Sequence, residues 1–285
     1  MFHCKFRVRC ADGGHSTGES FHMNALILRD DADNGVCTLT LNSEDNRNAL
    51  SKQMLETLLE NIETASNDPA VRVVIIKAHG PAFCAGHDLR EINAHREDPD
   101  HGVSFFESLM TLCAQTMLAI VNAPKPVIAQ VNGVATAAGC QLVASCDLAY
   151  ASDIARFSTP GVHIGLFCST PMVALSRNVA TKHAMEMLLV GDMVSASDAQ
   201  AIGLINRCVS ESDLHKTVDE AAGKIANKSK DTLKVGKQAF YEQQTMKVDA
   251  AYRYASEVMV SNLLADDARE GISAFLEKRA PQWQS

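Results

Sequence analysis

The stretch Lys125–Tyr150 constrains the fold more than any other part of the chain. It opens with an apolar run, Val127–Val131, bounded by Pro126 and by Asn132-Gly133. That reads as a short buried strand and a sharp turn. Ala135–Gly139 then carries almost no side-chain bulk, Cys140–Ser145 reads as the start of a helix, and Leu148–Ala151 as a second strand. A strand, a small-residue turn and a helix start leave backbone N–H groups open at the positive end of a helix dipole. Such a corner suits a phosphate or a developing oxyanion. It equally suits a tight strand–helix junction where small residues only permit close approach, and spacing alone does not choose.

A second stretch of the same design shifts the balance. Val71–Ala78 is an apolar, β-branched strand, and it runs into Gly80-Pro81-Ala82-Phe83-Cys84-Ala85-Gly86-His87-Asp88-Leu89-Arg90-Glu91. Two such corners can aim two N–H groups at one oxygen. The run Phe83-Cys84-Ala85-Gly86-His87-Asp88-Leu89 is followed about forty residues later by Pro126-Val127-Ile128-Ala129-Gln130-Val131-Asn132-Gly133, Ala137-Ala138-Gly139-Cys140 and Cys146-Asp147. This pattern resembles the enoyl-CoA hydratase/isomerase (crotonase) superfamily, from roughly Asn24 to Gln284. Either motif alone is weak; the pair, in this order and spacing, is specific.

The resemblance implies an α/β fold, a crotonase-like spiral of β-β-α repeats over 23–210. It further implies a C-terminal helical region over 211–285 that builds a homotrimer or a dimer of trimers. It implies an acyl-CoA thioester as substrate or ligand, within fatty acid metabolism, with coenzyme A arriving as part of that substrate and no resident cofactor. By similarity the oxyanion donors are the backbone N–H groups of His87 and Ala138. Ala138 stands where glycine is usual and still supplies an N–H, unless the position requires a positive φ. Ala85, His87, Asp88, Leu89 and Arg90 are expected along the CoA path, Arg90 where family members often carry lysine. Phe275 and Lys278, in Phe-Leu-Glu-Lys-Arg, match positions that hold CoA from the end of the chain. A solvated surface charge is an equal reading of Lys278.

The acid/base pair is where the chain departs from the family. Its hydratases use two glutamates, one in Gly-Cys-Glu-Leu and one after proline in Phe-x-x-Pro-Glu. Here those positions are Gln141, in Gly139-Cys140-Gln141-Leu142, and Gly161, in Phe157-Ser158-Thr159-Pro160-Gly161. An aspartate that some isomerases add is replaced by Ser169. An amide does not take up a proton at ordinary pH, and glycine has no side chain. Ordinary hydratase activity is therefore expected to be weak. The alternatives are an acyl-CoA-binding pseudo-enzyme and a decarboxylase-like enzyme using His87, whose imidazole titrates near neutrality. Decarboxylation needs less proton machinery, because loss of CO₂ itself makes the enolate. His163 is expected to be structural, Asp88 to face backbone N–H groups, and Cys168 and Ser169 to line the acyl pocket. Gln141, Gly161 and Gly165-Leu166-Phe167-Cys168-Ser169-Thr170-Pro171 together resemble the subgroup called enoyl-CoA hydratase domain-containing proteins, mitochondrial or bacterial.

The rest of the chain limits the alternatives. The net charge of −8 argues against a nucleic-acid partner. The apolar runs are expected to fall short of a membrane span. Nine scattered cysteines, an odd number without CxxC spacing, argue for reduced thiols, and no His/Cys/carboxylate cluster has metal-ligand spacing. Residues 1–22 hold Lys5, Arg7 and Arg9 before the first acid, Asp12, and read as a disordered tail or a short presequence. The compartment is expected to be cytoplasmic for a bacterial protein, with the mitochondrial matrix as the alternative. Ala25–Arg29 and Val36–Leu41 read as a hairpin, and a helix after Ser51 carries Leu55, Leu58, Leu59 and Ile62 on one face. Asn93–His101 reads as a surface loop, Phe105–Val121 as a helix, and Thr232–Leu264 as one long helical region.

Overall fold

The computed structural model describes residues 25–284. The tail or presequence expected over 1–22 lies outside the described residues. The chain begins with an antiparallel hairpin, β1 (Ile27–Asp31) and β2 (Val36–Leu41), followed by α1 (Lys52–Asn67). Three turns of a spiral follow. The first is β3 (Val73–Ala78), β4 (Ala82–Cys84), α2 (Leu89–Ala94) and α3 (Val103–Asn122). The second is β5 (Val127–Val131), β6 (Val134–Thr136) and α4 (Ala138–Ser145); the third is β7 (Leu148–Ser152), β8 (Arg156–Ser158), α5 (Pro171–Asn178) and α6 (Thr181–Val190). The chain then passes through β9 (Val194–Ser195), α7 (Ala196–Ala201), β10 (Arg207–Val209), α8 (Glu211–Ala226), α9 (Lys230–Gln243), α10 (Val248–Leu263) and α11 (Asp266–Glu277).

In each turn the first strand joins one sheet and the second strand joins another. The larger sheet has the order β1-β2-β3-β5-β7-β10 and the smaller β4-β6-β8-β9. Within the spiral the neighbours β3·β5·β7 and β4·β6·β8 are parallel. Parallel pairing requires a crossover, which the helices supply. The central strands are buried on both faces, which is why Val73–Ile76 and Val127–Ala129 are continuous apolar runs and not alternating ones.

One face of the larger sheet packs, with both small-residue corners, on α1, α3 and α4. Ser51 caps α1, its hydroxyl accepting from Met54 N at 3.1 Å. The face that α1 buries is Met54, Leu55, Leu58, Ile62 and Ala65, each large side chain contributing about 1.5–3 kcal/mol; Leu59 is only half-buried. The other face of the sheet is covered by α8, through Leu214, Val218, Ala222 and Ala226 against Val73, Ile75, Ile128 and Tyr150. The helical region drawn from residue 211 therefore divides. Its first helix completes the sheet core, whereas α9 and α10 bury no residue of their own.

Two other expectations change. Asn93–His101 is largely helical, because α2 runs to Ala94 and a 3₁₀ turn follows over His95–Glu97. His95 fixes that turn by stacking on Phe105, centroids 3.6 Å apart, and by bonding Asp98 at 2.7 Å. The long helical region breaks at residues 244–247 into α9 and α10. Helix α3, 20 residues, is long and apolar enough by length and composition to cross a membrane. It instead contributes Leu109, Cys113, Met117 and Ile120 to the core, and no membrane span is indicated.

Candidate functional site

The two small-residue corners meet. A side chain at Gly86 would put its Cβ 2.9 Å from the Cβ of Ala137 and 3.3 Å from the backbone nitrogen of Ala138. Gly86 also has φ +88°, which disfavours a side chain even without that contact. A Cβ on Gly139 would lie 2.1 Å from Cys84 O, so the first turn of α4 rests directly on the end of β4. The Thr136 hydroxyl ties the corners, donating to Ala85 O at 3.0 Å. The small residues thus serve close approach, and they also leave donors open at the junction.

His87 bridges in parallel to Leu50, whose N–H donates to Gly86 O at 2.7 Å. In that bridge Leu50 supplies the hydrogen-bonding groups, so the N–H of His87 is turned away from it. Ala138 is the first residue of α4, and its N–H is among those a helix leaves unpaired. Neither N–H finds an acceptor among the described residues. Paired donors on rigid, adjacent corners are what stabilises an oxygen that gains negative charge.

Ala138 has ordinary helical geometry; the positive φ falls one residue earlier. Ala137 sits at φ 50° and ψ −119°, a region suited to glycine, and donates its N–H to Ser158 O at 2.9 Å. A non-glycine residue there costs about 1–3 kcal/mol. Ala137→Gly is expected to raise unfolding free energy by about 1 kcal/mol, the relief of strain partly offset by a looser unfolded chain. Urea unfolding checks this, and a loss of stability would show that Ala137 is not strained.

The His87 ring is oriented by a 3.2 Å contact between Nδ1 and Leu50 O. A carbonyl only accepts, so Nδ1 carries the proton and Nε2 is left as the acceptor. Nε2 is buried and has no partner among the described residues. Burial pushes the His87 pKa below the usual imidazole range, against the Leu50 carbonyl and the charge of Glu91. A second buried atom without a partner, the Ser158 hydroxyl, lies on the strand that receives the Ala137 N–H.

The carboxylates carried by the His87 corner are engaged elsewhere. Asp88 caps α2, accepting from Arg90 N at 2.9 Å and Glu91 N at 3.3 Å. Glu91 accepts from Lys52 N at 2.9 Å at the start of α1. Among the described residues the one fully buried acid is Asp267, on α11. Gln141 is buried in α4, with Cys113 Sγ 4.0 Å from its Oε1. Gly161 is buried in a 3₁₀ turn over Pro160–Ile164. His163 in that turn meets Val190 O at 2.9 Å, a structural contact.

The structure brings Ala85, His87, Asp88, Leu89 and Arg90 together on one corner, with Leu89 and Arg90 exposed. It does not bring Phe275 and Lys278 there: within one chain neither has a hydrogen bond or ion pair to that corner, and α11 packs on α9 and α10. Phe275 is 82% exposed, and Lys278 is the left-handed cap of α11 with φ 56°. No motif in the sequence points to Ala137 or Ser158 as site residues. Backbone strain and an unpartnered side-chain hydroxyl are properties of the folded chain, and no residue pattern announces them.

A spiral of paired strands ending in these corners is the architecture of a crotonase. The enoyl-CoA hydratase/isomerase family model matches residues 31–285, and the chain belongs to that family. Among known proteins it is similar to enoyl-CoA hydratase domain-containing protein 3, mitochondrial, of Xenopus laevis, 45% identical over 94% of this chain and 89% of that protein. Among solved structures it is similar to an enoyl-CoA hydratase of Mycobacterium smegmatis, with 48% identity, TM-score 0.87, and coverage of 92% of this chain and all of that one. It is also similar to human enoyl-CoA hydratase domain-containing protein 3, with 43% identity, TM-score 0.86, and coverage of 91% of this chain and 100% of that one.

Proposed function

We propose that this chain binds an acyl-CoA thioester and stabilises its enolate with the N–H groups of His87 and Ala138. The observation that carries this reading is the juxtaposition of two unpaired backbone donors at the Gly86–Ala137 contact. Gln141 and Gly161 hold the positions of the hydratases' glutamates on this reading, so hydration is weak. Ala85, Leu89 and Arg90 flank the CoA path, and coenzyme A arrives with the substrate. Asp88 acts there through the cap it forms on α2. The relatives named mitochondrial favour the matrix as the compartment. A thermal-shift series against acyl-CoAs of varied chain length tests the reading, since a ligand that binds only the folded state raises its melting point. No shift with any acyl-CoA would end it.

A second reading, a decarboxylase-like enzyme, is favoured by the bare Nε2 of His87. It predicts turnover of a malonyl-type thioester that His87→Ala abolishes, whereas a pure acyl-CoA binder has no turnover to lose.

The chain is further proposed to assemble as a trimer or a dimer of trimers through its C-terminal helices. Tyr252 (74%) on α10, Leu264 (80%) just after it and Phe275 (82%) on α11 are large apolar side chains left exposed. Large apolar side chains exposed together commonly mark an interaction surface. Assembly would also give Phe275 and Lys278 a site to serve. Light scattering is expected to return three or six times the chain mass, and a monomer would overturn the proposal.

A further inference from the structure

Gly161 does more than lack a carboxylate, and the argument rests on the acyl-CoA reading above. A Cβ at Gly161 would lie 3.0 Å from Cys168 Sγ, 3.0 Å from Leu166 O and 3.4 Å from Cys168 N. The first two distances are tighter than ordinary van der Waals contact. The strap 165–168 is held over Gly161 by its own hydrogen bonds. Leu166 N donates to Gly161 O at 2.9 Å, Ser169 N to Phe167 O at 2.7 Å, and Met172 N to Cys168 O at 2.9 Å. Cys168 is buried. Cys168 shares one buried cluster with Cys140, the residue before Gln141 on α4, so the strap joins the neighbourhoods of positions 141 and 161.

We infer that Cys168 is the residue that keeps a second acid out of this site. Gly161 and Cys168 form one unit, and removing the thiol clears one of the two tightest contacts that a side chain at 161 would meet. Cys168 is thereby a positioning residue: it decides which reaction the corners can support, without touching the reacting atoms. Two of the three contacts at Gly161 are with backbone, so the strap must also yield by a few tenths of an ångström. The thiol is the one obstacle a single substitution removes.

Two measurements test this. The first is a stability cycle of Gly161→Ala, Cys168→Ala and the double variant. Gly161→Ala is expected to lower the melting temperature, and Cys168→Ala to restore most of that loss. The second is crotonyl-CoA hydration by Gln141→Glu/Gly161→Glu with and without Cys168→Ala. The triple variant is expected to exceed the double by about 10²-fold, the typical worth of a seated general acid or base. Additive melting temperatures, or equal hydration by the double and triple variants, would overturn the inference. Crotonyl-CoA-induced stabilisation of the unmodified chain is recorded alongside. Its absence counts against the acyl-CoA reading, while the stability cycle still decides the Gly161–Cys168 coupling.

Discussion

Crotonyl-CoA hydration by this chain is expected to run about 10²- to 10⁴-fold slower than in a family member carrying both glutamates. Each general acid or base contributes roughly 10²–10⁴-fold, and losses of groups that act as a unit do not multiply. Gln141 retains hydrogen-bonding capacity but cannot carry a proton, and Gly161 offers neither. Asp88 and Glu91 are not expected to substitute, because each is held at a helix start. Substrate binding should survive, since the proposed donors are backbone groups. The check is loss of enoyl-thioester absorbance with a two-glutamate hydratase run in parallel. Turnover within tenfold of that enzyme would show that another group, His87 first, replaces the pair.

The second large effect is structural. Lys237→Met is expected to lower unfolding free energy by about 3–5 kcal/mol, the usual result of removing one partner of a buried ion pair. Lys237 Nζ, whose side chain is 7% exposed, donates to Asp147 at 2.7 Å, Ile120 O at 2.9 Å and Lys125 O at 3.1 Å. Asp147 also accepts from Tyr241 OH at 3.0 Å and from Val127 N at 2.7 Å, the first residue of β5. Burial pulls the Lys237 pKa below the lysine range, and the Asp147 charge opposes it. Burial and Asp147 together push the Tyr241 hydroxyl above its ordinary range. This cluster ties α9, which contributes no fully buried residue but does bury the Lys237 side chain, to the start of the strand leading to the Ala138 corner. Tyr241→Phe removes a single hydrogen bond and should cost only about 1 kcal/mol. Denaturant unfolding of the two variants decides the matter; equal losses would mean that Lys237 and Tyr241 are interchangeable props.

Much of the fold could be read along the chain. Val127–Val131 forms a strand with the bounds its residues suggest, and Gly191 stops α6 in the left-handed conformation, φ 76°. These features depend on residues near in sequence: an apolar run between breakers, a glycine after the last helical turn. At residues 93–101 Pro99 and the charges suggest a loop, and the short helix found there is secured by the stacking of His95 on Phe105, a contact that local composition does not show. The break at 244–247 has no local signal, because nothing in its composition excludes helix.

What the sequence determined by itself is held in local order: two strand-to-turn corners, the order in which they occur, and the residue types at positions 141 and 161. What only the tertiary structure decided is what those corners touch. That Gly86 abuts Ala138, that Cys168 closes over Gly161, and that α8 packs on the sheet while α9 is tied to the start of β5 through Lys237 and Tyr241 are contacts between residues far apart in the chain. A corner's type follows from its own φ and ψ preferences. The partner it meets depends on how parallel strands of two sheets stack through successive crossovers, and no local preference encodes that distance.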